Sequence, residues 1–300
     1  MRGESFLPII DAHLHFSRLR TFQDAAEGIS RLEYSAAGLA REYAAAGVTA
    51  GIAMGLTEQR PGGFPDFSSP NPMLLDLEAD RPAFMACCPG INPMRLASGQ
   101  KEAELAGIER VLAEPWVVGI KIYAGYYPYY VHDSIYDPVY DLAARYDLPV
   151  VIHTGVTYSS RGMLKYSHPL TVDELAVKRG KIRFVLAHLG DPWVMEAAAV
   201  IFKNPNVYAD LSGLYVADGR RLAELQKEDL LLDRFRRAML YTEDYSRFLF
   251  GSDWPLAPVG PYIELIKGLV PLSEHDKVFY GNAMGVYNRL KVLLKHHIGK

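Results

Sequence analysis

Cysteine is almost missing from this sequence: there are two in 300 residues, Cys87 and Cys88, side by side. Adjacent cysteines build neither an ordinary disulfide framework nor a spaced zinc site, so any bound metal must draw its ligands from other residue types. Lying in the apolar run Phe84-Met85-Ala86-Cys87-Cys88, they read as small core residues. An excess of positive charge is lacking as well. The 32 lysines and arginines against 35 acids leave a formal charge of −3, and with a pI near 6.3 the chain has no broad positive field to hold a phosphate backbone. Nucleic acid is therefore not an expected partner, and the basic group Lys291, Lys295, His296, His297 and Lys300 reads as a solvated helix end. No apolar stretch reaches the roughly 18 residues that a membrane-spanning helix needs. Residues 1–20 also lack the charged start, apolar run and small-residue cleavage site of a signal peptide. The expectation is a cytoplasmic protein that acts on a small molecule without a membrane; a homo-oligomer is compatible with the sequence.

What is present is the balance of a folded globular chain, 49% apolar and 22% charged. Eight short β-branched or apolar runs alternate with longer helical patterns. They are Leu7 to His13, Val48 to Met54, Phe84 to Pro89, Val117 to Tyr123, Val150 to His153, Arg183 to His188, Val207 to Leu211, and Phe248 to Ser252. Eight βα units predict an α/β fold, a TIM (β/α)8 barrel forming one domain over residues 1–300. A doubly wound open sheet is the alternative, but it gathers its site at one switch point rather than over many strand ends. Thr171 and Glu174 suggest a capping box, and Gly180 a helix stop. The stretch from Leu56 to Pro72, rich in Gly, Pro, Ser and Asp, reads equally as a substrate loop or a variable surface loop. Ser273 to Leu294 predicts an extra C-terminal helical region covering the outside of the barrel.

Metal-competent residues collect at the C-terminal ends of the runs, the face where barrel enzymes keep their active sites. His13 and His15 close the first run, and strand alternation puts both imidazoles on one side. His153 ends the fifth run, His188 the sixth, and Asp253 follows the eighth. Each alone reads as well as a buried histidine or a capping aspartate. Four histidines and an aspartate at the mouths of four strands would be a costly concentration of polar groups without a shared partner, and a metal ion is the simplest one.

Taken in order, Asp11-Ala-His-Leu-His15, Gly119-Ile-Lys-Ile-Tyr123, Val151-Ile-His-Thr-Gly155, Ala187-His-Leu-Gly190, Tyr208-Ala-Asp-Leu-Ser-Gly213, Gly251-Ser-Asp-Trp-Pro255 and Gly281-Asn-Ala283 span nearly the whole chain. This series resembles the amidohydrolase superfamily, in particular its amidohydrolase-related branch, which includes hydrolases and decarboxylases. The resemblance implies that His13, His15, His153 and Asp253 bind one metal, with His188 beside it as general acid or base. It gives Lys121 two readings: carboxylated and bridging two metals, as in binuclear members, or a free cation that binds an anionic substrate group. Four protein ligands plus water complete a catalytic zinc site, which favours one metal over two. Zinc is the first choice; manganese, iron and cobalt accept similar ligands.

Asp210 ends the seventh run, where it orients a ligand histidine or caps the next turn. Tyr123, Tyr126, Tyr127, Tyr129 and Tyr130 crowd the loop after the fourth run, and with Trp254 they are candidates for substrate walls or for packing. The expected reaction is hydrolysis of a small carboxylic ester, lactone or amide by metal-activated water, with Asp253 or His188 taking the proton. Decarboxylation of an aromatic or unsaturated acid is the close alternative. Decarboxylase relatives often carry a proline soon after the first two histidines and a glycine-rich turn after the sixth strand, where this chain has Phe16-Ser17-Arg18 and Gly190-Asp191-Pro192. A non-catalytic, metal-stapled binding protein is the third reading.

Overall fold

The computed structural model describes residues 8–17, 19–55 and 81–298. The loop from Leu56 to Pro72 lies outside them. Among the described residues nine short strands follow one another: β1 (Ile9–Leu14), β2 (Val48–Met54), β3 (Met85–Cys88), β4 (Gly90–Ile91), β5 (Ile120–Ile122), β6 (Val150–Ile152), β7 (Phe184–Leu186), β8 (Val207–Asp210) and β9 (Phe248–Leu249). All pair in parallel with their neighbours in chain order, as β1-β2-β3 and β4 through β9. Eight staves were expected, and the ninth strand, β4, lies just past Pro89, where the third run was expected to end. A proline nitrogen cannot donate to a ladder, so β3 pairs with β2 on one side of the break and β4 with β5 on the other. The seam across it is carried by Val118 N donating to Cys87 O (3.0 Å) and Lys121 N donating to Pro89 O (2.9 Å).

The barrel closes between its first and last strands. Ala12 N donates to Phe250 O at 2.9 Å, and Asp253 N to His13 O at 2.8 Å. This closure is what brings the motifs Asp11–His15 and Gly251–Pro255 together.

Between strands, helices lay one apolar stripe on the barrel. In Val194–Lys203 the buried positions are Val194, Ala197, Ala198, Val200 and Ile201, the spacing of a helix face. Ser35 caps Ala36–Ala46 by accepting from Gly38 N (3.0 Å), and Gly47, at φ 73°, ends it. The Thr171–Glu174 capping box does not form: the helix Thr171–Lys178 begins one residue earlier than a Thr171 cap requires, and the Thr171 hydroxyl donates back to His168 O (2.7 Å). No helix among the described residues is long and apolar enough to cross a membrane.

The C-terminal region departs from expectation in place rather than in kind. Its helices Asn282–Val286 and Leu290–Ile298 bury Ala283, Val286, Tyr287, Leu290 and Leu294. These pack on Ile10, Ala12, Ile52, Val151, Val185 and Leu249, side chains that alternate with the outward-facing ones along their strands. The segment therefore plugs the barrel's interior instead of covering its outside, because its apolar stripe finds an otherwise open apolar end there.

Candidate metal centre

His13 lies in β1 and His15 just past its end, where the ladder shifts register between Asp11 and Leu14. The Asp11 carboxylate accepts from His13 N (3.3 Å), Tyr43 OH (3.0 Å), Ser252 N (2.9 Å) and Ser252 Oγ (2.5 Å). It ties the backbone of His13 to the residue preceding Asp253. Burial pushes its carboxyl up to about 6 against those hydrogen bonds. Sequence reasoning missed Asp11, although its place two residues before His13 in an otherwise apolar strand was a readable signal.

His15 Nε2 lies 3.3 Å and His13 Nε2 3.6 Å from Asp253 Oδ1. That oxygen is buried yet accepts no hydrogen bond among the described residues. Three candidate ligand atoms within 4.8 Å of one another are a donor set that a divalent cation would complete. Electrostatics agree. Burial, reinforced by Lys121, lowers His13 to about 4, so its imidazole is neutral at pH 7 and ready to ligate. Burial would raise the Asp253 carboxyl, but the imidazoles of His15, His188 and His13 outweigh it and hold it below the ordinary carboxylate range. Asp253 itself sits at φ 58° and His188 at φ 61°, left-handed backbone of the kind that concentrates at functional sites.

Around this cluster stand the other expected residues. Asp210 Oδ2 takes a 2.8 Å bond with His13 Nδ1, and its Oδ1 accepts from His188 N (3.0 Å), Ser212 N (3.2 Å) and Ser212 Oγ (2.5 Å). His188 places Nδ1 3.0 Å from both Ser212 O and Ser212 Oγ. Lys121 is buried, with Nζ 3.4 Å from His13 Nε2 and 5.4 Å from the centre of the Tyr123 ring. Burial lowers its ammonium to about 8, opposed by the charges of Asp210 and Asp253. His153 lines the same cavity but stands outside the three-atom cluster. Its ring is 5.0 Å from those of His188 and Tyr126, and its Nε2 lies 3.2 Å from Val156 O. Burial holds it well below the usual histidine range.

His15, Lys121, His153, His188 and Asp253 line a cavity of about 580 Å³ whose walls also include Leu19, Phe22, Tyr123, Tyr126 and Leu256. Phe22 stacks on His15 with ring centres 4.5 Å apart. Trp254 does not line this cavity: one residue on from Asp253, it faces away, fully buried, and its indole N–H donates to Glu42 (3.1 Å).

The family model described as Amidohydrolase matches residues 10–289, most of the chain and every motif of the cluster. The chain belongs to the amidohydrolase family. No curated protein matches the sequence. Among solved structures, this amidohydrolase is similar to an uncharacterised TIM-barrel protein, Bb4693, from Bordetella bronchiseptica (21% identity, 95% of this chain and 100% of that one, TM-score 0.68). It is also similar to a zinc-bound amidohydrolase from Burkholderia multivorans (22%, 93% and 99%, TM-score 0.60). A third is 5-carboxyvanillate decarboxylase from Novosphingobium aromaticivorans in complex with manganese (14%, 95% and 97%, TM-score 0.61). These likenesses establish the α/β barrel.

One more residue of the amidohydrolase site carries no functional side chain. Gly213 sits at φ 60°, and a Cβ there would stand 2.5 Å from Asp253 Oδ2 and 2.8 Å from His188 Nδ1. Its signal in the sequence was the Leu-Ser-Gly turn after β8, read only as part of a motif. The Asp210–His13 bond yields a direct expectation. Asp210 fixes the tautomer that presents Nε2 to the cluster, so Asp210→Asn should weaken metal binding by about 10- to 100-fold with the fold retained, as measured by competition with a chromogenic chelator.

Proposed function

We propose that this amidohydrolase is a divalent-metal-dependent hydrolase of a small carboxylic ester, lactone or amide. The observation that carries the reading is the state in which His188 is held. Ser212 Oγ gives its proton to Asp210 Oδ1 at 2.5 Å, so the lone pairs of Ser212 Oγ and Ser212 O both face His188 Nδ1 at 3.0 Å. The ring is thereby a donor at Nδ1, and its Nε2 keeps a lone pair free to accept a proton from water.

His13, His15 and Asp253 would hold the metal, and a turn of the His153 ring away from Val156 O would add a fourth ligand. A divalent ion there supplies Lewis acidity for a carbonyl and for water. Lys121, buried beside His13, brings a positive charge to the same end of the cavity, where the carbonyl oxygen becomes anionic. Tyr123, Tyr126, Phe22 and Leu256 enclose an apolar part of the substrate and keep bulk water off it. Zinc is the proposed metal, as in the similar Burkholderia protein. The likeness to a manganese decarboxylase keeps a second reading in view, because a buried lysine beside a metal also suits a substrate carboxylate.

The test is elemental mass spectrometry on protein purified without added metal, followed by ester, lactone and amide panels run beside an assay for carbon dioxide release from aromatic acids. About one ion per chain is expected, with hydrolysis that is lost to a chelator and regained with zinc. Carbon dioxide release without hydrolysis would replace the hydrolase by the decarboxylase, and failure to bind any metal after reconstitution would sink both.

A further inference from the structure

Beyond the metal ligands and Lys121, the cavity wall carries one further charged side chain among the described residues, the carboxylate of Asp191. It is held from several sides. Asp191 N donates to His188 O (3.0 Å), and its carbonyl accepts from Val156 N (3.0 Å), which latches the turn after β7 to the loop after β6. Gly155 makes this latch close: a Cβ there would meet Asp191 O at 2.1 Å. The side chain is gripped from behind by Arg234 of the helix Asp229–Tyr241, with Nη2 donating to Oδ2 at 3.2 Å and Nη1 lying 2.9 Å from Oδ1. Arg234 in turn rests its guanidinium 4.5 Å from the centre of the Phe235 ring and does not itself line the cavity. Burial raises the Asp191 carboxyl, and the charges of Arg234 and His188 oppose that rise. What the cavity receives is an acceptor fixed in position with 22% of its side chain exposed, in a lining that also includes Thr154, Thr157 and Ser160.

Two consequences follow from charge alone. A substrate bearing a hydrogen-bond donor meets an acceptor that needs no ordering on binding. A second carboxylate in the same place meets a like charge, and the guanidinium of Arg234 beside that charge is already engaged. We propose that Asp191 sets the specificity of the site, receiving an ammonium or hydroxyl group on the part of the substrate remote from the reacting carbonyl and turning away substrates that carry a second carboxylate there. This deepens the hydrolase reading and rests on it for the position of the reacting carbonyl.

The probes are 4-(aminomethyl)benzoate and terephthalate, which share a ring and one carboxylate to anchor at the metal and differ only in the opposite group. Isothermal titration calorimetry on the metal-loaded protein should show the aminomethyl compound binding about tenfold more tightly. The preference should shrink to about twofold in Asp191→Asn, checked for folding by circular dichroism, and should weaken in the wild type as salt is raised. The salt series needs no variant and stands if Asp191→Asn does not fold. Equal affinity, tighter diacid binding, no binding of either probe at millimolar concentration, or an undiminished preference in Asp191→Asn would each overturn the assignment. Turnover is not read here. A protein that binds selectively but hydrolyses nothing would sink the reaction and keep the selection; an active hydrolase without the preference would do the reverse.

Discussion

Replacing His188 by asparagine should lower kcat about a hundred- to ten-thousand-fold while leaving metal content unchanged. Asparagine is the informative choice because it tolerates the left-handed backbone that His188 adopts at φ 61°, so the loss is not one of folding. The amide can still donate toward Ser212 O, but it has no lone pair of comparable basicity to offer water. Single-turnover rates, elemental analysis and circular dichroism on the same preparation separate the possibilities. Metal lost together with activity would move His188 into the ligand set, where its nitrogen already falls within 4.8 Å of ligand atoms from His13 and Asp210.

Gly213→Ala is expected to be nearly as damaging, although it deletes nothing. The added methyl would overlap Asp253 Oδ2 at 2.5 Å and His188 Nδ1 at 2.8 Å, and neither neighbour is the loose end of a flexible chain. Both must shift by a substantial fraction of an ångström, and misplacement on the scale of 1 Å in a reacting constellation costs about a hundredfold in rate. The left-handed backbone adds about 1–2 kcal/mol of strain for a residue with a Cβ. The expected result is a folded protein with a lowered melting temperature and at least about a hundredfold loss of kcat/KM. Near-native activity would mean that Asp253 and His188 have room that the distances do not show.

Much of this site could be read before any coordinates because its information is local. Strand alternation alone brought His13 and His15 to one side, and the apolar runs located β2 at the bounds it occupies, Val48–Met54. Barrel closure then followed from eight parallel units, and with it the meeting of His13 and Asp253, 240 positions apart in a family whose motif order is itself a signal. What stayed illegible depends on rotamers and loop paths. The orientation of His153, turned toward Val156 O, is set by the loop after β6. That Trp254 faces Glu42 rather than substrate depends on where the helix Ala36–Ala46 happens to pack. The third run, Phe84 to Pro89, ends at the proline, yet pairing resumes beyond it at Gly90–Ile91, two residues too few to show an apolar period of their own. Asp191 appeared only as a departure from a decarboxylase pattern; its grip by Arg234 needed the fold.

The plug at the far end of the barrel sets an order of events during synthesis. Ala283, Val286, Tyr287, Leu290 and Leu294 fill the interior behind Ile10, Ala12, Ile52 and Val151, so the earliest strands wait for the latest helices. Until Leu294 has been made, a nascent chain carries the inward apolar face of its strands with nothing to seal it, exposed apolar surface that invites association with other chains. Barrel closure through Ala12 and Phe250 imposes the same delay from the other direction. His13 and His15, at the end of β1, are thus among the first residues translated and among the last to find their partners.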